Sequence, residues 1–333
     1  MAVRRWKMLC CIASSAVVGL TGCSALGGSS DEPDKPGAGG LEKTSLKIAI
    51  QPSVDAAPVW LAQDGGYFKA EGLDVQTVVG NDGPTVLAKV KSGDADLGGI
   101  TYPVAFVAQQ SGAVDLRFVA DGTAASPKSN QLFTVPNSPV KAVTDLPGKR
   151  IAITSKNSTS DILTRAVMRD HGLDYSKVTW VFLPLPNMAA ALRDGQADAA
   201  YQPEPFAQKT ARTVGATAFI DVAHPSTSTE DFPVLGYSAQ REWTEKYPNT
   251  MAAFQRAMLK ATRDVNASRA TWEPLVVKYA KVEPEDASLM VAPRFTSTLD
   301  ARRLQRVPRL MQQLGVIPTE VDAASMIVKQ VSP

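Results

Sequence analysis

The sequence predicts an α/β protein of two lobes with like topology, each a parallel sheet with crossover helices. The first observation is an internal echo. Lys47-Ile48-Ala49-Ile50 leads into a helical stretch, then Glu71-Gly72-Leu73-Asp74-Val75, then Val86 to Lys91 and Ser92-Gly93-Asp94-Ala95-Asp96-Leu97. Further along, Arg150-Ile151-Ala152-Ile153 leads into a helical stretch, then His171-Gly172-Leu173-Asp174-Tyr175, then Met188 to Arg193 and Asp194-Gly195-Gln196-Ala197-Asp198-Ala199. The second observation is the alternation within each copy. Short apolar β-rich runs followed by helical patterns imply parallel strands joined by crossover helices. The third is length: 333 residues suffice for two cores, and the repeat is too long for a solenoid.

The N-terminus is a separate element. Arg4, Arg5 and Lys7 precede an apolar run from Met8 to Leu20. That run is too short for about 30 Å of hydrocarbon, which needs roughly 20 apolar residues. Basic head, short apolar run and small-residue exit read as a secretory signal over residues 1–22. Its exit, Leu20-Thr21-Gly22-Cys23, resembles a bacterial lipoprotein lipobox. The resemblance implies cleavage before Cys23, a diacylglyceryl group on its thiol and acylation of the new amine. Two or more acyl chains would anchor firmly, where one is marginal. Arg4-Arg5 leaves the general secretory and twin-arginine routes both open. The three cysteines are Cys10, Cys11 and Cys23, so the folded part would have no thiol for a disulfide, a zinc site or a nucleophile.

Residues 23–44 read as a tether. Gly27-Gly28-Ser29-Ser30 and the stretch to Gly40 carry no apolar period and cannot bury a face. Beyond the first strand, Ala56 to Lys69 reads as helix broken at Gly65-Gly66, with Val59, Trp60, Leu61 and Phe68 as core candidates. Asp161 to His171 carries a stripe of Ile162, Leu163, Ala166 and Val167, stopped by Gly172. After Arg241 helices are expected near Pro248–Ser268, Thr271–Ala280, Pro284–Ala292, Asp300–Leu314 and Thr319–Val328, as a cover for the first lobe.

Several of these stretches fall in the order of a known family. Gln51-Pro52-Ser53-Val54-Asp55-Ala56-Ala57-Pro58-Val59-Trp60-Leu61-Ala62 with Gly66-Tyr67-Phe68-Lys69-Ala70-Glu71-Gly72-Leu73-Asp74-Val75 resembles the start of nitrate/sulfonate/taurine-type periplasmic binding proteins. That family includes receptors for the pyrimidine precursor of thiamine. Ser92 to Asp96, Asp145-Leu146-Pro147-Gly148-Lys149-Arg150-Ile151-Ala152, Ala191 to Ala199 and Glu204-Pro205-Phe206 follow in family order. The resemblance implies the type II binding-protein fold, with two crossing segments and a ligand in the cleft. The crossings are placed near Leu132–Pro136 and Pro233–Tyr237. The first lobe is then 45–132 with 237–333, and the second is 133–236.

In open α/β sheets ligands sit beyond the carboxyl ends of the strands, beside helix N-termini whose free N–H groups suit acceptors and anions. Four such ends supply candidates: Ser53 and Asp55; Asn81, Asp82 and Gly83; Thr101 and Tyr102; and Ser158, Thr159 and Ser160. Glu204, in a proline-fixed loop, is a fifth. The resemblance implies the same loops. Ser53, Asp55 and Asp82 also suit plain helix caps, Tyr102 a core aromatic, and Trp60, Tyr67 and Phe68 the core.

Composition removes other classes. Lys and Arg number 35 against 33 acids. Cutting before Cys23 removes Arg4, Arg5 and Lys7 and no acid, so the mature chain is near neutral and offers no basic field for nucleic acid. The two histidines, His171 and His224, form no metal spacing, and no phosphate loop or nucleophile elbow occurs. A related branch that makes the thiamine pyrimidine uses its own histidine and a cysteine-rich segment, which this chain lacks.

The expectation is therefore a non-enzymatic, monomeric solute-binding protein of an ABC importer, without cofactor or metal. It would be extracytoplasmic, anchored to the cell membrane through Cys23 and partnered by membrane permease subunits. The resemblance implies an organic sulfonate, a taurine-like zwitterion or nitrate as ligand. The residues raise an alternative. Only Lys156 is an obvious cation near these loops, while Asp55, Asp82 and Glu204 are acids, a balance better suited to a zwitterion or a thiamine-pyrimidine-like base.

Overall fold

The computed structural model describes residues 40–225 and 227–331. The expected signal peptide, Cys23 and most of the tether lie outside the described residues. The tether was expected to reach residue 44, but the chain docks sooner. Leu41 is buried, and the Glu42 carboxylate accepts hydrogen bonds from the backbone N–H groups of Asn249 and Thr250 at 3.0 and 2.9 Å. Those N–H groups open a helix, where a negative charge is favoured.

Three stretches of chain then build two sheets. The first runs β1 (Ser45–Ile50), α1 (Ala57–Asp64), α2 (Tyr67–Ala70), β2 (Asp74–Val79), α3 (Gly83–Ser92), β3 (Leu97–Thr101), α4 (Tyr102–Gln110) and β4 (Leu116–Ala124). The second runs β5 (Asn130–Thr134), β6 (Arg150–Ile153), α5 (Thr159–Asp170), β7 (Thr179–Phe182), α6 (Met188–Arg193), β8 (Ala199–Pro203), α7 (Phe206–Val214) and β9 (Thr217–Asp221). The chain returns through β10 (Pro233–Gln240), α8 (Arg241–Lys246), α9 (Pro248–Ala267), α10 (Glu273–Ala280), α11 (Pro284–Leu289), β11 (Arg294–Phe295) and α12 (Ala301–Gln313).

The sheets are ordered β11-β4-β10-β3-β1-β2 and β7-β6-β8-β5-β9. Read from β2 and from β7, they share one plan. β1 and β6 each lie between two parallel neighbours, β2 and β3 or β7 and β8. A strand beside a crossing then inserts antiparallel: β10 between β3 and β4, and β5 between β8 and β9. The sheets are joined at residues 125–129 and 222–232, so both crossings expected from sequence are displaced. Leu132–Thr134 and Pro233–Tyr237 are strand residues. Leu132, Phe133, Val234 and Leu235 are buried apolar residues within these strands, while the connection at Ser126-Pro127-Lys128-Ser129 is polar.

The echo has a physical basis. Asp96 and Asp198 clamp the matching strands β1 and β6. Lys47 N–H donates to Asp96 Oδ2 at 2.9 Å, and Asp96 N–H donates to the Lys47 carbonyl at 2.8 Å. Arg150 and Asp198 repeat the exchange, both bonds at 2.8 Å. Gly93 and Gly195 precede these clamps with φ of 81° and 65°, a left-handed turn that a side chain would strain. Leu73 and Leu173 also match, their N–H groups closing helix ends onto the carbonyls of Phe68 and Met168 at 2.9 and 2.8 Å.

The first sheet is covered by the returning helices. Phe254 of α9 stacks on Phe68 with ring centroids 5.7 Å apart, and Tyr279 of α10 stacks on Trp60 at 5.3 Å. In the second sheet the faces alternate. Leu132, Ile151, Ile153 and Tyr201 belong to the core shared with α5, and Phe133, Ala152 and Ala200 pack with residues of α6 and α7. The helix expected at Thr319–Val328 is only one turn of 3-10 helix, Ala323–Met326. Ile327 leaves it to bridge Phe118 of β4. Among the described residues no helix is long and apolar enough to cross a membrane.

Candidate functional site

A cavity of about 360 Å³ is lined from the carboxyl ends of strands in both sheets. Ser53, Asp55, Asn81, Gly83 and Thr101 reach it from the first lobe, and Ser158, Thr159 and Ser160 from the second.

Asp55 follows β1. Its Oδ2 accepts from Ser53 Oγ at 2.9 Å and its Oδ1 from Thr123 Oγ1 at 2.8 Å. Ser53 makes no side-chain cap to the helical turn it precedes. Burial pushes the Asp55 carboxyl above the usual aspartate range, against the opposing pull of the Thr123 and Ser53 hydroxyls. Burial, and then the Asp55 charge, hold the phenols of Tyr201 and Tyr237 far above their usual value. Tyr201 lines the cavity and donates to Asn130 Oδ1. Gly83 opens α3, where a Cβ would lie 3.2 Å from Val104 Cγ2.

In the second lobe Thr154, Ser158 and Ser160 form a closed set of hydroxyls. Thr154 Oγ1 lies 3.0 Å from both serine oxygens, which are 2.7 Å from each other. Ser158 also donates to the Ser155 carbonyl at 2.7 Å and makes no side-chain cap to α5. Thr159 differs: it is 6% exposed, and its Oγ1 has no hydrogen-bond partner. The first-turn acid Asp161 is fully buried, accepting from Asn157 N–H at 2.7 Å and Arg165 Nε at 2.6 Å.

Three candidates lie elsewhere. Asp82 caps α3, accepting from Thr85 N–H at 2.7 Å. Tyr102 is fully buried and donates to Asp121 at 2.6 Å, and Arg303 pairs with the same carboxylate. Glu204 is 2% exposed, and one of its oxygens accepts from Gln208 Nε2 at 2.7 Å and Val291 N–H at 3.2 Å. Burial raises its carboxyl. Lys156 is exposed and outside the lining, which contains no Lys, Arg or His among the described residues. His171 caps the C-terminal end of α5, its Nδ1 2.8 Å from the Val167 carbonyl.

Sequence reasoning missed the apolar wall: Pro184, Leu185, Pro186, Phe206 and Val234. Apolar residues read as core, but the doubled proline after β7 was a usable signal, since proline suits neither strand nor helix interior.

The sequence pattern of the family described as "NMT1/THI5 like" matches residues 53–268. A "Nitrate/nitrite binding protein NrtA" from Nostoc sp. (strain PCC 7120) is 24% identical over 240 residues, 66% of this chain. The chain spans about half of that relative's length, 54%. A "Putative aliphatic sulfonates-binding protein" from Bacillus subtilis is 25% identical over 250 residues, 73% of this chain and 69% of the relative. The solved alkanesulfonate-binding protein SsuA from Xanthomonas axonopodis pv. citri superposes with a TM-score of 0.73 at 21% identity, covering 86% of this chain and 98% of that one. This likeness shows the fold, the two-lobed α/β architecture of type II periplasmic binding proteins.

Proposed function

The chain belongs to the NMT1/THI5-like family, and on that premise we propose that it is the extracytoplasmic solute-binding protein of an ABC importer, taking a small organic molecule between its lobes. The observation that carries this reading is the cavity lined from strand ends of both lobes, about 360 Å³ in volume, within the range of small-molecule sites, roughly 300–1,000 Å³. A ligand touching both lobes stabilises one relative position of them, which a membrane permease can then recognise.

Binding without catalysis fits the same residues. The Ser158 and Ser160 hydroxyls are bonded to each other and to Thr154, and among the described residues no histidine lines the cavity to serve as their base. A lipidated Cys23 would hold the monomer at the membrane beside its permease.

The relatives' names support a sulfonate or a nitrate-type oxyanion, a taurine-like zwitterion is a sulfonate that also carries an amine, and the N-terminus of α5 with its hydroxyls suits an acceptor or anionic group. A thiamine-pyrimidine-like base is the second reading, favoured by a lining that, among the described residues, holds one carboxylate and no cation. A thermal-shift panel of taurine, alkylsulfonates, nitrate and aminopyrimidines tests the proposal. A saturable rise in melting temperature with one class is expected. No response to any class would count against the solute-binding reading.

A further inference from the structure

We propose that the cavity selects a molecule with a hydrogen-bond-donating nitrogen group at one end and an acceptor group at the other, and that Asp55 recognises the donor end. The proposal rests on the solute-binding reading and narrows its ligand class. Asp55 is the one carboxylate among the described lining residues, and no Lys, Arg or His accompanies it. Each of its oxygens takes one hydroxyl, from Ser53 at 2.9 Å and from Thr123 at 2.8 Å. The carboxylate is thereby oriented but not neutralised, and each oxygen can accept a further donor. A partly buried carboxylate without a counter-charge is costly. An amine, an amidine or a protonated ring nitrogen supplies the missing partner, whereas a bare oxyanion adds repulsion.

The other lobe contributes the N-terminus of α5. Thr159 Oγ1 is buried there without a partner and lines the cavity. Beside it the first-turn N–H groups have no intrahelical acceptor. An acceptor on the ligand (a carbonyl, a ring nitrogen, a hydroxyl or a sulfonate) satisfies both. The same cavity is lined by Pro184, Leu185, Pro186, Phe206 and Val234, which favour a compact apolar or aromatic body. Nitrate and amine-free alkanesulfonates lack the donor end, and taurine or an aminated ring has both.

Calorimetry on the full chain with matched probes tests this: taurine against ethanesulfonate, 4-aminopyrimidine against pyrimidine, and nitrate alone. In at least one pair the aminated member should bind about tenfold or more tightly than its amine-free partner, the effect of a charge-assisted hydrogen bond. Asp55→Asn, shown folded by circular dichroism, should remove most of that difference. If this variant does not fold, the matched pairs on the wild type still decide. Ethanesulfonate or nitrate binding as tightly as the aminated probes would overturn the proposal and leave the solute-binding reading intact. Binding of no probe would overturn both.

Discussion

Arg212 on α7 grips Asp286 on α11 with a two-pronged geometry. Its Nε lies 2.9 and 3.1 Å from the two carboxylate oxygens, and its Nη2 lies 2.9 Å from one of them. The pair joins the second lobe to the helical cover of the first, and Asp286 is 4% exposed. Nearby, Val291 N–H reaches Glu204 across the same boundary. Arg212→Ala should lower the melting temperature, because it leaves a buried carboxylate without its counter-charge. The Arg212 side chain is half exposed, so salt screens the pair. The deficit should be larger in low salt than in high salt. A deficit independent of salt would mean that the apolar stem of Arg212 joins the lobes instead.

Thr159 and Ser158 should separate binding from stability. Thr159→Val keeps the shape and removes a hydroxyl that has no partner, so the melting temperature should not fall. Affinity for a verified ligand should drop several-fold, consistent with about 0.5–1.5 kcal/mol for one hydrogen bond. Ser158→Ala breaks bonds to Thr154, Ser160 and Ser155 and should cost stability. Unchanged affinity in Thr159→Val would remove this hydroxyl from the site.

Asp55 should trade stability for its position. Burial raises its carboxyl in the folded state, so the folded chain holds the proton more tightly than the unfolded chain. Stability then falls as pH rises from the unfolded value through the raised one, and stays lower above it. Asp55→Asn escapes this loss. The variant should melt higher than the wild type at neutral pH, and the gap should close as pH falls below the usual aspartate range. Melting curves across pH check this, and a gap of constant size would contradict it.

Cys23→Ala should abolish lipidation and either release the chain from membranes or leave uncleaved precursor. Labelling with a fatty acid that persisted in this variant would remove the lipoprotein reading.

Much of the fold was legible because the same constraints act twice. Asp96 and Asp198 sit at matching positions because each clamps the corresponding strand, β1 or β6, and the glycines before them must turn left-handed. The crossings were misplaced because strand propensity shows that Leu132 and Pro233 lie in strands but not which sheet those strands join. In the site, strand-end polar residues such as Ser53, Asp55 and Thr159 were legible from topology. Asp82 and Glu204 were not separable from them, since a cap and a ligand contact use the same residue types. Phe206 and Val234 were hidden because an apolar wall and a core read alike.

The central claim, a small molecule held between the lobes, is tested most directly by a crystal structure of the chain with the tightest-binding probe of the panel. The account predicts ligand density in the interlobe cavity, with a nitrogen donor on Asp55 and an acceptor at Thr159 and the start of α5. Density at any other surface, or a cavity left empty at saturating probe, would contradict it.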